Sequence, residues 1–160
     1  MRIDSHQHFW KYNPVEYDWI SDEMGALKRD HLPDELQQLA GSVGIDGSVA
    51  VQARQTLEET KWLLELAGQY PFIKGVVGWV DLRSEKVDEQ LAEFAYDKKL
   101  KGVRHVVQSE PDDEFMMREE FLRGIDRLER YGLTYDILIF PKHLECAKRL
   151  VKKFPSQKFV

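Results

Sequence analysis

The chain has 160 residues, 42% of them hydrophobic and 32% charged, a composition that fits one globular unit. Its formal net charge of −5 comes from interspersed acids and bases with no basic block, which argues against nucleic acid as a partner, and no apolar run approaches the roughly 20 residues of a membrane span. The opening Met1-Arg2-Ile3-Asp4 has no apolar leader core and the single cysteine, Cys146, excludes an internal disulfide, so a cytoplasmic protein is expected.

Strand patterns rich in β-branched and aromatic residues fall at 2–6, 47–53, 73–80, 101–107 and 133–139. Helical spacing fills the gaps. Leu32, Leu36, Leu39, Ala40 and Val43 recur on one face, with Pro33 suited to a first turn. Thr56-Leu57-Glu58-Glu59 reads as a capping box before Leu63, Leu64 and Ala67. Ser84 precedes Val87, Leu91, Phe94 and Ala95, Phe121, Ile125 and Leu128 follow, and Tyr131-Gly132 marks a stop. Pro141 opens a helix carrying Leu144, Ala147 and Val151, in which Cys146 packs as a small apolar residue. About two dozen residues separate His8 from the first helix, and this long loop holds Phe9, Trp10, Tyr12, Tyr17 and Trp19. It reads as a lid or pocket wall, as a minor aromatic core, or as both.

Alternating strands and helices imply an α/β fold with a parallel sheet, either open and doubly wound or closed as a TIM (β/α)8 barrel. The first strand leads into histidines and aromatics rather than a glycine-rich phosphate loop, and unusual polar residues gather at the C-terminal ends of the strands. Both features favour the barrel. Residues 1–160 then form one domain, the N-terminal part of a barrel cut after about five βα units, with 157–160 opening a sixth strand.

Those strand ends carry the candidate chemistry. Residues two apart on a strand face the same way, so His6 and His8 project together, with Asp4 on the same parity. Two neutral imidazoles form half of a divalent-metal site or a polar clamp for an oxygen-rich substrate; the bland alternative is a pair bonding loop backbone. Gln52 and Arg54 end the second strand, and the arginine offers a planar fork for a carboxylate or lactone oxygen. Trp79 offers an apolar wall. Arg104 and His105 sit in a strand that burial on both faces would make apolar, which points to substrate binding or to a structural ion pair. Asp136 either positions an arginine, touches substrate or forms an ion pair, and His31 and His143 read as solvated or capping groups.

Ile3-Asp4-Ser5-His6-Gln7-His8-Phe9-Trp10 resembles the opening of the amidohydrolase-related (amidohydrolase 2) proteins, nearest the branch of sugar-acid lactonases and 2-pyrone-4,6-dicarboxylate lactonase. Val51-Gln52-Ala53, Gly75-Val76-Val77-Gly78-Trp79-Val80 and Gly102-Val103-Arg104-His105 are similar to the same branch. The resemblance implies a TIM-barrel hydrolase acting on a small-molecule sugar-acid or dicarboxylate lactone by water attack on the carbonyl. It gives His6 and His8 the catalytic, metal-holding or carbonyl-polarising role and lines the pocket with Gln52, Arg54, Trp79, Arg104 and His105. One divalent metal, zinc or manganese, is implied, although some relatives work without one. A later histidine and a water-activating aspartate on the last strand fall outside these residues, so the 160-residue chain alone is expected to be inactive. Competing readings are a metal-dependent decarboxylase of the same superfamily and a non-catalytic α/β module. The open sheet edges of an unfinished barrel would also favour pairing into a homo-oligomer.

Overall fold

Five strands lie side by side in chain order, all parallel: β1 (Ile3–Gln7), β2 (Gly47–Val51), β3 (Ile73–Gly78), β4 (Leu100–Val106) and β5 (Thr134–Leu138). The computed structural model describes residues 1–160. Each strand is followed by a helix, in turn α1 (Pro33–Ser42), α2 (Leu57–Gln69), α3 (Val87–Phe94), α4 (Glu119–Leu128) and α5 (Leu144–Lys153). Strictly sequential strand order separates the two architectures, because a doubly wound sheet reverses direction at a switch point while a barrel adds each strand beside the last. The fold is a half-barrel of five βα units. A further strand opens against β5, where the Tyr135 amide donates to the Lys158 carbonyl at 3.0 Å and the Ile137 amide to the Val160 carbonyl at 2.9 Å.

Local signals set the helix boundaries. Pro33 occupies the first turn of α1, where its missing N–H costs nothing. The Thr56 hydroxyl accepts from the Glu59 amide at 3.1 Å, but the Glu59 carboxylate does not turn back to complete a capping box. Gly132 adopts φ 67° after α4, a conformation glycine reaches without strain.

Alternation along the strands divides the sheet into two faces. Ala50, Ile73, Val76, Val103 and Tyr135 pack with Leu63, Leu91, Phe121, Ile125 and Leu150 of the helices in one continuous core. Arg104 is paired in register with Asp136 and belongs to the other face, which it shares with His6. Cys146 is buried in the helical core, as its apolar surroundings predict. No helix is long and apolar enough to cross a membrane.

The long aromatic loop is an ordered wall. Trp10, Tyr17 and Ile20 form a small core with Tyr12, Leu27 and Ala53 around it. The Trp10 and His31 backbones pair in both directions, at 3.0 and 2.9 Å, and the Trp10 indole donates to the Arg29 carbonyl at 2.9 Å. Both readings of the loop hold, since Trp19 remains exposed and lines a cleft at the rim of the sheet. Of the two histidines expected to be solvated or capping groups, His143 takes the capping role and His31 packs on an aromatic ring. His31 packs its ring against Trp10, and His143 is fully buried, with Nδ1 accepting from the Phe140 amide at 3.1 Å. His143 therefore caps a turn, and neither ring is simply solvated.

Candidate active site

A cleft of about 1010 Å³ opens at the C-terminal ends of the strands. Its polar lining comes from the end of β1 (His6, His8), the β2–α2 connection (Arg54, Gln55, Thr56), β4 and the turn after it (Arg104, Gln108, Ser109), and the aromatic loop (Glu16, Asp18). Trp19, Ala53, Val106, Leu138 and Phe140 supply apolar wall. Polar groups converging on an apolar-walled cleft at this rim are what a small-molecule site on a βα half-barrel requires.

At its floor the His6 and His8 Nε2 atoms lie 3.1 Å apart, with the rings edge to face. His8 Nδ1 meets the Val51 carbonyl at 2.8 Å, and a carbonyl only accepts, so that nitrogen carries the proton and Nε2 presents a lone pair. Arg104 Nη1 lies 3.2 Å from His6 Nε2, and a guanidinium only donates, so His6 Nε2 presents a lone pair as well. Burial pushes His8 down to about 4, with Arg104 and His6 adding to the shift, and burial and then Arg104 also lower His6. Both rings are therefore neutral near pH 7.

Two imidazole nitrogens held this close offer two ligand positions to a divalent cation such as zinc, the one on His6 on release of its hydrogen bond from Arg104, with the hydrogen bond to Val51 fixing the tautomer that a ligand histidine needs. The fit covers two ligand positions. No group of three or more His, Cys, Asp or Glu side chains assembles here, and the Arg104 charge stands beside His6.

Arg104 is almost completely buried and is held by Gln52, whose backbone and side-chain oxygens accept from Nη2 at 2.5 and 2.8 Å. Asp136 faces it from β5 and accepts from the Thr134 hydroxyl at 3.1 Å; burial raises the Asp136 pKa against the pull of Arg104. Arg54 lies on the cleft wall, with Nε 2.8 Å from Glu59 and Nη1 2.8 Å from Glu16.

The structure thus brings His6, His8, Arg54 and Arg104 into one cleft and places the other candidates elsewhere. Gln52 is fully buried behind Arg104, so it positions that side chain and does not line the cleft. His105 is a correction. Being one residue from Arg104, it points to the helix face, where it stacks on Phe115 with ring centroids 4.8 Å apart and bonds Glu110 at 2.7 Å. Trp79 is also outside the lining, with its backbone N–H and C=O both held at 2.7 Å by the Thr60 hydroxyl. Sequence reasoning missed Glu16, which nothing in the loop's pattern marks, and Glu59, whose capping-box setting concealed its ion pair.

A sequence profile of the Amidohydrolase family matches residues 3–160. The chain is 45% identical over 145 residues to an L-fucono-1,5-lactonase from Burkholderia multivorans, covering 90% of this chain and 49% of the relative. It is 33% identical over 159 residues to an L-fucono-1,5-lactonase from Burkholderia ambifaria, covering 99% and 55%. A crystal structure of an amidohydrolase from Burkholderia multivorans with bound zinc superposes with a TM-score of 0.94 at 41% identity, over 99% of this chain and 56% of that one. The chain spans about half the length of the curated relatives it matches. The matched profile, the sequential parallel sheet and the paired histidines at its rim agree, and the chain belongs to the Amidohydrolase family.

Proposed function

We propose that this chain carries part of the active site of a lactone hydrolase acting on a sugar-acid lactone of the L-fucono-1,5-lactone type. The observation that carries the reading is the meeting of the His6 and His8 Nε2 atoms with the Arg104 guanidinium in one cleft, on a chain 45% identical to an L-fucono-1,5-lactonase. His6 and His8 would hold a divalent metal such as the zinc of the related crystal structure. When bound, that metal would supply Lewis acidity toward the lactone carbonyl.

The chain's own residues define the rest. Arg104 is fixed by Gln52 before substrate arrives, so its N–H groups stabilise negative charge developing on the carbonyl oxygen without reorganising. Asp136 on β5, in register with Arg104, supplies a nearby counter-charge. Gln108 and Ser109 offer donors and acceptors to ring hydroxyls, and Trp19 and Phe140 cover the apolar edge of the sugar and exclude water. Water attack needs a proton acceptor, which the family resemblance puts on a last strand outside these residues. On this reading, the isolated 160-residue chain does not turn over.

The test is hydrolysis of L-fucono-1,5-lactone by the full-length protein and by its His6→Ala and Arg104→Met variants. Each substitution is expected to lower kcat by about 10²–10³-fold with the fold retained. Undiminished turnover in both variants, or no hydrolysis of sugar lactones by the unaltered protein, would refute the assignment.

A further inference from the structure

We infer that Glu16 sets the charge selectivity of the cleft, by occupying Arg54 and so turning away lactones that carry a carboxylate. This rests on the lactone-hydrolase reading and names a residue that decides which lactones enter.

Arg54 is the guanidinium available on the cleft wall, and two of its three side-chain nitrogens are already paired with carboxylates. Nε is 2.8 Å from a Glu59 oxygen, Nη1 is 2.8 Å from a Glu16 oxygen, and the guanidinium carbon lies 5.3 Å from the centre of the Tyr17 ring. The two carboxylates differ in kind. Glu59 is fully buried and fixed by the Ala53 and Arg54 amides, so it anchors the arginine from behind. Glu16 is 49% exposed, comes from the aromatic loop and lines the cleft. One cation therefore faces two anions, and Asp18 of the same loop adds a third negative group to the cleft. Arg104, the other cation there, bonds Gln52 and His6 and faces Asp136.

A carboxylate-bearing ligand would have to displace Glu16 from Arg54 or lie beside its charge, and both are unfavourable. An uncharged, hydroxylated ligand meets the same groups as hydrogen-bond partners and suffers no such repulsion. Because Trp10, Tyr17 and Ile20 pack the loop down on either side of Glu16, the carboxylate is held at Arg54 by the loop's own small core. Neutralising Glu16 would leave Arg54 anchored through Nε with no competing negative charge at Nη1, a fork suited to a carboxylate.

The experiment is calorimetric titration of the full-length protein with glucono-1,4-lactone and glucaro-1,4-lactone, sugar lactones distinguished by a carboxylate on the second. It compares the unaltered protein, Glu16→Gln, and Glu16→Gln combined with Arg54→Met. The Glu16→Gln variant is expected to shift the affinity ratio toward the carboxylated lactone by about tenfold or more, and the double variant to lose that gain. An unshifted ratio in Glu16→Gln, including no detectable binding of the carboxylated lactone, overturns the inference. So does a gain that survives removal of Arg54. Failure of the underlying function is distinguishable: sugar-lactone hydrolysis with an unshifted ratio removes the role of Glu16 alone, whereas an Arg54-dependent gain without any hydrolysis removes the lactonase reading alone.

Discussion

Glu59 has no contact with solvent, and its two oxygens accept from the Ala53 and Arg54 amides and from Arg54 Nε. Truncating it would leave two backbone N–H groups and Arg54 Nε without their acceptor, while Arg54 Nη1 keeps Glu16. Glu59→Ala is therefore expected to destabilise the protein by about 2–3 kcal/mol, and Glu59→Gln, which keeps an acceptor oxygen, by less. Urea unfolding of the two variants checks the order; a loss below about 1 kcal/mol for Glu59→Ala would show that the pair contributes little. The residue type was legible in the sequence and its partner was not. Thr56 three residues earlier made Glu59 look like the reciprocal half of a cap, and only the turn of the β2–α2 connection sends the carboxylate to Arg54. Arg104 and His105 teach the same point, because neighbours on a strand face opposite ways and one of two adjacent candidates had to leave the site.

Within the elements, glycines distinguish intrinsic propensity from packing. Gly124 lies in α4, and a β-carbon there would fall inside the van der Waals radius of the Leu82 carbonyl oxygen, which is backbone and cannot step aside. Gly41, in the last turn of α1, has open space around it. Alanine is the better helix former at both, by up to about 1 kcal/mol, but overpacking costs about 1–3 kcal/mol. Gly41→Ala is expected to raise the melting temperature slightly and Gly124→Ala to lower it, as thermal unfolding would reveal; a rise in both would mean that α4 is not pressed against Leu82. Element order and type could be read from periodicity, but ends could not. The third strand reads through Val80 in the sequence and stops at Gly78, because the Trp79 backbone leaves the sheet to bond a hydroxyl on α2. That hydroxyl belongs to Thr60, which carries no sign in the sequence of its role at a strand end.

Across the whole molecule, three histidines pull stability in one direction, His105 buried, His8 half-buried and His6 more exposed. Burial lowers His6, His8 and His105, so each binds a proton more weakly in the folded chain than in the unfolded one. Where the unfolded state binds more protons, stability rises with pH, so their contribution is present above about pH 6.5 and is lost as pH falls toward the folded values. For His8, lowered from 6.5 to about 4, the loss between about pH 7.5 and about pH 5 is about 2 kcal/mol. Metal-free protein is thus expected to show a lower urea midpoint at the more acidic pH. A midpoint that holds steady or rises on acidification would contradict the burial of these rings.

The amino-acid order by itself determined the alternation of strands and helices and the histidine pair at the first strand end, and it favoured the barrel over the open sheet. Each follows from short-range pattern, which the side-chain period of a strand or helix makes readable. Tertiary structure alone decided that His105 and Trp79 stand outside the cleft, that Gln52 serves Arg104 from behind, and that Glu16 meets Arg54. The physical reason is that those partners come from different elements. Their meeting depends on strand register, on a hydroxyl offered by a helix and on a loop pinned by its own aromatic core, none of which a local pattern encodes.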